Sequence, residues 1–214
     1  EEDCAALSRP LPALQPVLLP NGIFLSQYPL DVQPAVLSAP ALVFSGKMDY
    51  RPNVDAVLWF AREILPRVRK THAEATLVVV GKAPVPPVKR LAHDPSITVT
   101  GSVPDVRPLI AAATVFLAPL RMGGGTRFKI LEAMALRRPI VSTTIGAEGF
   151  PITDGHELLL ADSPDEQARA VCSLIADSQA RARLGTAGRA FVEANYQWHE
   201  IVPRLQKVYS WAKR

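Results

Sequence analysis

From residue 41 onward, short runs of Val, Ile, Leu and Phe alternate with longer stretches of helical spacing, and few folds accommodate that alternation. The run Ala41–Ser45 stops at Gly46. Apolar residues then recur at 54, 57, 58, 61, 64, 65 and 68, which predicts a helix with Asn53 as its N-cap. A second strand is predicted over Ala75–Val80, ending at Gly81, and a short helix over Val85–Leu91. A third strand, Ile97–Thr100, ends at Gly101 and leads into a helix over Asp105–Ala112. Val115–Ala118, Ile140–Thr143 and Leu158–Leu160 read as further strands, and Thr126–Leu136 as the helix between the first two. Pro164–Ala176, Gln179–Asn195 and Glu200–Lys213 read as closing helices, with Asp162–Asp165 as a loop and cap. Strands without polar alternation are buried on both faces, so the prediction is an α/β, doubly wound, Rossmann-like parallel sheet with helices on both sides.

Ahead of this pattern, residues 1–40 are Pro-rich and poorly periodic. Glu1–Leu7 reads as a short helix, Val17–Gly22 as a strand ending in a turn, and 26–40 as a linker. The opening Glu1, Glu2, Asp3, with no Met, reads as a segment of a longer protein. The 214 residues suffice for one well-buried α/β domain with a short appendage. The longest apolar run, Ile110–Leu120, is too short to span a bilayer. Two isolated cysteines, Cys4 and Cys172, argue against a disulfide framework or a cysteine-built zinc site, and suit a reducing, cytoplasmic compartment. A net charge of +4 suits an anionic ligand or an acidic membrane surface. No run of Lys and Arg interleaves with aromatics, which speaks against nucleic acid as a partner.

Ligands of open parallel sheets bind beyond the carboxyl ends of the strands, which puts Gly46, Gly81 and Gly101 in the right place. The most informative segment follows the fourth strand. There Gly123-Gly124-Gly125 runs straight into a helix carrying Thr126, Arg127 and Lys129. Glycines let main-chain N–H groups converge, and a helix N-terminus adds roughly half a positive charge. Two cations at that end oppose the macrodipole, and a bound phosphate would resolve the conflict. The alternative is a flexible turn with solvated bases. Glu132, set among Ile130, Leu131, Ala133 and Met134, needs polar partners. Vicinal sugar hydroxyls would serve, as would an ion pair with Arg127 or Lys129. Lys47 and Arg51, in the loop after Gly46, are placed to reach a diphosphate or to be ordinary solvated cations.

The chain resembles the C-terminal domain of retaining GT-B glycosyltransferases of family 4, the glycosyltransferases group 1, over about residues 15–195. The marks are Leu19-Pro-Asn-Gly22, Phe44-Ser-Gly46, Val79-Val-Gly81, Thr100-Gly-Ser-Val103, Ala118-Pro-Leu-Arg121, Ile130-Leu-Glu-Ala-Met-Ala135, Pro139-Ile-Val-Ser142 and Gly146-Ala-Glu-Gly149. The resemblance implies that Glu132, the second Glu of a Glu-x7-Glu motif, binds the donor ribose. It implies that Gly46 and Lys47 match a Gly-Arg pair holding the diphosphate, that Gly101, Ser102 and Val103 line the base, and that Gly124 to Arg127 face the distal phosphate. Where the motif has its first Glu, this sequence has Gly124; the family's Lys a few residues after the Gly-Arg pair is also not clear, with Arg51 as its replacement.

The implied division is 1–14 as the end of a preceding acceptor domain, 15–197 as the donor-binding domain, and 198–214 as a helix crossing back to the acceptor domain. The implied activity is metal-independent transfer of a hexosyl group from a nucleoside-diphosphate sugar, without cofactor, to a saccharide or lipid-linked acceptor of polysaccharide biosynthesis, at the inner face of the membrane for a lipid-linked one. The isolated domain is expected to be inactive. The competing readings are a non-catalytic nucleotide-binding subunit and a sugar-nucleotide epimerase of the same architecture.

Overall fold

The computed structural model describes residues 9–10, 16–125 and 127–212. Six strands form one sheet: β1 (Ala41–Ser45), β2 (Thr76–Val80), β3 (Ile97–Gly101), β4 (Val115–Ala118), β5 (Ile140–Ser142) and β6 (Leu159–Leu160). Their spatial order is β3-β2-β1-β4-β5-β6, and every pairing is parallel. The chain builds outward from β1 in one direction, then returns to β4 and builds in the other. That reversal leaves a crevice between the carboxyl ends of β1 and β4.

The apolar runs bury both faces. Leu42, Phe44, Leu77, Val79 and Leu117 point into one layer of core, and Val43, Val78, Phe116 and Ile140 into the other. On the first face lie α1 (Arg51–Trp59), a wider π turn over Phe60–Ile64, α2 (Leu65–Arg69), and α3 (Pro86–Lys89) with a 3-10 turn over Arg90–His93. On the other lie α4 (Arg107–Ala111) and α5 (Phe128–Ala135). Next come α6 (Pro164–Ala176), α7 (Ser178–Asn195) and α8 (Trp198–Ala212). Ser163 starts α6 with a reciprocal cap: its hydroxyl accepts from the Glu166 N–H, and the Glu166 side chain accepts from the Ser163 N–H.

Several local expectations change. Asn53 is no N-cap; α1 begins three residues earlier than that cap would place it, behind Tyr50, with Pro52 in its first turn. Its side chain serves a different contact, described below. Val17–Gly22 carries no strand; the nearest sheet-like feature is a single parallel bridge between Ile23 and Gln197. Residues 26–40 are not a free linker. A 3-10 turn, Leu25–Gln27, is followed by Tyr28, Val32 and Leu37, all packed on the core. In α8, Ile201 is buried, while Leu205 and Trp211 are exposed. The helix expected over Glu1–Leu7, and with it most of the segment 1–14, lies outside the described residues.

Candidate functional site

The floor of the crevice is backbone. The Gly46 N–H donates to the Val80 carbonyl at 2.9 Å, and the Gly81 N–H to the Gly101 carbonyl at 3.1 Å. A Cβ on Gly81 would stand 1.7 Å from the Gly46 carbonyl oxygen, so the two strand ends touch main chain to main chain. Above this floor opens a cavity of about 580 Å³, within the range of small-ligand sites. Gly46 and Lys47 follow β1 in its wall, Gly81 follows β2, and Ser102 and Val103 follow β3. The opposite wall is Gly124, Arg127, Phe128, Lys129 and Glu132.

The triple-glycine bend therefore sits on the carboxyl rim of the sheet. Gly123 and Gly125 hold φ of +108° and +84°, where a side chain would be strained. Arg121, just ahead of the bend, pairs with Asp55 through two contacts of 2.9 and 2.6 Å and stacks over Trp59. Gly124 faces open space; a Cβ there would meet nothing within 4 Å. α5 starts at Phe128, two residues later than expected, so Arg127 precedes it and Lys129 lies in its first turn. No side chain caps this end and no acid stands in its first turn. Thr126 lies outside the described residues.

The cations differ from one another. Arg127 is buried, and its guanidinium donates to the Gly125 carbonyl at 3.0 Å, the Gly123 carbonyl at 2.6 Å and the Ile145 carbonyl at 3.4 Å. Its charge reaches the cavity, but its hydrogen bonds hold the bend. Gly123 and Gly125 thus shape the loop and do not line the cavity themselves. Lys47 is exposed beside Asp49, at 3.1 Å. Arg51 is exposed at the start of α1 and is not part of the cavity wall.

Lys129 is the group most altered by its surroundings. Its Nζ lies 3.9 Å from the centre of the Phe44 ring and donates to Asn53 Oδ1 at 2.6 Å. Asn53 in turn donates to the Lys47 carbonyl at 2.9 Å, tying α1, the loop after β1 and α5 together. Burial, and then repulsion from Arg127, pull the Lys129 pKa down to about 7, with Glu132 opposing. Glu132 accepts from the Tyr28 hydroxyl at 2.8 Å, and burial raises its pKa above the ordinary carboxylate value. Neither Arg127 nor Lys129 forms an ion pair with it within 4 Å among the described residues.

Sequence reasoning passed over Tyr28, read Asn53 as a helix cap, and gave Phe44 no role at the site. Each matters through a partner 76 to 104 residues away, so no local pattern marks it. Among the described residues, no group of three or more His, Cys, Asp or Glu is arranged to hold a metal ion, and no helix is long and apolar enough to cross a membrane.

Comparison with known proteins agrees with this architecture. A GDP-mannose-dependent alpha-(1-6)-phosphatidylinositol monomannoside mannosyltransferase of Mycobacterium tuberculosis is 34% identical over 158 residues, covering 66% of this chain and 40% of that protein. A GDP-mannose-dependent monoacylated alpha-(1-6)-phosphatidylinositol monomannoside mannosyltransferase of Corynebacterium glutamicum is 27% identical over 183 residues, covering 80% of this chain and 47% of that protein. The chain thus spans about half the length of the curated relatives it matches. Among solved structures, the C-terminal domain of a glycosyl transferase group 1 protein of Francisella tularensis superposes with a TM-score of 0.61 at 19% identity, covering 83% of this chain and all of that one. Anabaena HepE in complex with UDP and glucose superposes with a TM-score of 0.70 at 15% identity, covering 91% of this chain and 56% of that one. The fold is that of the C-terminal domain of a GT-B glycosyltransferase. The model for the glycosyl transferases group 1 matches residues 39–177, more than half of the sequence, and the chain belongs to that family.

Proposed function

We propose that this chain is the donor-binding domain of a retaining, metal-independent glycosyltransferase, which moves a hexosyl group from a nucleoside-diphosphate sugar to a saccharide or lipid-linked acceptor held by a second domain. The observation that carries it is the convergence on one cavity of the α5 N-terminus, Lys47, Lys129 and the Glu132 carboxylate, at the reversal point of the sheet. Residues 15–197 form the donor unit, and residues 198–214 reach toward the acceptor domain. The relatives are named for GDP-mannose, and HepE holds UDP, which supports a nucleoside diphosphate as the shared ligand.

In this reading Glu132 accepts from the ribose hydroxyls, and Ser102 and Val103 border the base. Lys47, Lys129 and the Gly124 amide face the phosphates, with Arg127 holding the bend in shape. As the glycosidic C–O bond breaks, its electron pair stays on the phosphate oxygen, and these groups stabilise the charge that develops there. The new bond joins the same sugar carbon to the acceptor oxygen, whose proton passes to the departing diphosphate oxygen. Cations and amides suffice for this step, so no metal or cofactor enters it. The absence of a carboxylate at Gly124 favours one alternative, a subunit that binds nucleotide without transferring sugar. Sugar transfer or donor hydrolysis by the full-length protein decides between them.

Calorimetry with UDP, GDP and ADP tests the binding step, and absence of measurable affinity for all three would overturn it. Lys47→Ala should weaken the diphosphate by only ~2–5-fold and leave the free nucleoside unaffected, because this exposed cation already shares its charge with Asp49. Equal losses for both ligands would remove Lys47 from the phosphate site.

A further inference from the structure

A carboxylate that must bind ribose hydroxyls has two requirements in this fold: it must stay ionised among apolar neighbours, and it must hold one orientation. Ile130, Leu131, Ala133 and Met134, the residues around Glu132 on α5, are fully buried. Burial raises the Glu132 pKa, and the Tyr28 hydroxyl is the first of the groups that lower it, ahead of Lys129. Tyr28 arrives from outside the sheet, on the segment that precedes β1, and its hydroxyl donates to Glu132 Oε1 at 2.8 Å. No other hydrogen bond reaches the Glu132 carboxylate among the described residues, and the residue borders the cavity.

Tyr28 is itself held in place from two sides. Arg107 donates to the Gln27 carbonyl at 2.5 Å, and Arg189, from α7, donates to the Tyr28 carbonyl at 2.9 Å. The same Arg189 nitrogen also donates to the Ala135 carbonyl at the end of α5, at 2.5 Å. The Tyr28 N–H closes the 3-10 turn on the Leu25 carbonyl at 2.9 Å. One arginine thus clamps together the backbone of the phenol donor and the helix that carries its acceptor. A donor fixed in this way adds orientation without a further loss of side-chain freedom on binding.

Resting on the ribose role proposed for Glu132, we infer that Tyr28 is a positioning residue for donor binding: it occupies one carboxylate oxygen and turns the other toward the sugar-nucleotide ribose. The linkage has a definite sign. The carboxylate contributes to binding above its pKa, and that contribution is lost as pH falls through it. Removing the phenol hydroxyl raises that pKa, so the loss begins at higher pH. The charged groups on the two sides are Lys129 toward Glu132, and Arg107 and Asp105 toward Tyr28. Lys129 titrates in wild type and variant alike, and it largely cancels in their ratio.

The test is calorimetry on the full chain carrying Tyr28→Phe, which retains the ring and its packing. The ligands are a nucleoside diphosphate and its 2′,3′-dideoxy analogue. The expected result is a ~3–10-fold weaker affinity for the ribose form, the worth of one hydrogen bond, with no change for the dideoxy form. The deficit should grow as pH is lowered toward the range where the carboxyl takes up its proton, and that growth should vanish in a Glu132→Gln background, where no carboxylate remains at this position. Equal losses for both ligands, or no loss for either, would overturn the inference. Glu132→Ala tested on the same pair separates the two claims. If it does not discriminate ribose from dideoxyribose, the ribose reading itself fails. If it discriminates and Tyr28→Phe does not, only the role of Tyr28 fails.

Discussion

Glu132→Ala is expected to weaken nucleoside-diphosphate binding by ~1–3 kcal/mol, the cost of losing hydrogen bonds to a charged acceptor, or roughly 5- to 150-fold in affinity. The variant should not be much less stable than the wild type. The carboxylate is desolvated, and its removal relieves a burial penalty that Tyr28 only partly offsets. Binding and stability should therefore separate, with affinity falling sharply and the melting temperature moving little. Calorimetry paired with thermal melts reads both. An unchanged affinity would end the ribose role, and a collapsed melting transition would show that the carboxylate serves the fold.

Lys129→Met is expected to have the second large effect, and its mark is a change in pH dependence. In the free protein the Lys129 pKa sits at about 7, against an ordinary value of 10.5. A bound diphosphate favours the charged form and raises that pKa. The attraction is thus fully present below the lower value and is lost as pH rises beyond the higher one. Wild-type affinity should fall on going from about pH 6 to about pH 9, and binding near neutrality should take up a proton. Lys129→Met should bind diphosphate ~10–100-fold more weakly at the acid end, the worth of a buried charged contact, with a flatter profile. Free nucleoside should bind both proteins alike. Calorimetry in buffers of different ionisation enthalpy measures the proton directly, and a profile unchanged by the substitution would remove Lys129 from the phosphate site.

Stability should respond in the opposite sense. A lysine whose folded pKa is depressed destabilises the fold fully below that pKa, and the penalty fades as pH rises toward the unfolded value. The methionine variant should therefore gain stability over the wild type in mild acid. That is the pattern of a residue retained for its ligand.

The sheet and the rim where its cavity opens were legible in the sequence because parallel strands buried on both faces leave unbroken apolar runs, and because Gly46, Gly81 and Gly101 mark where the chain leaves the core. The triple-glycine bend was legible for the same reason. What escaped was long-range. Asn53 has the chemistry of a helix cap, yet its amide bridges the Lys47 carbonyl and Lys129, and Pro52 helps start the helix earlier. Arg127 reads locally as a free cation, but three carbonyls surround it once the bend closes. Tyr28 lies in a Pro-rich stretch without periodicity, and its significance depends on a helix 104 residues further along.

The abutment of Gly81 against the Gly46 carbonyl also bears on how such a site can diversify. A methyl group at Gly81 would part the strands and one at Gly46 would displace Asn53 and Lys129, so descendants of this chain should keep the base of the crevice. New nucleobase or sugar preferences must arise around the lip, at Lys82, Ser102, Val103 or the unobstructed Gly124, where added atoms have room. On the proposed reading, the architecture is rigid at the crevice floor and roomy at its lip.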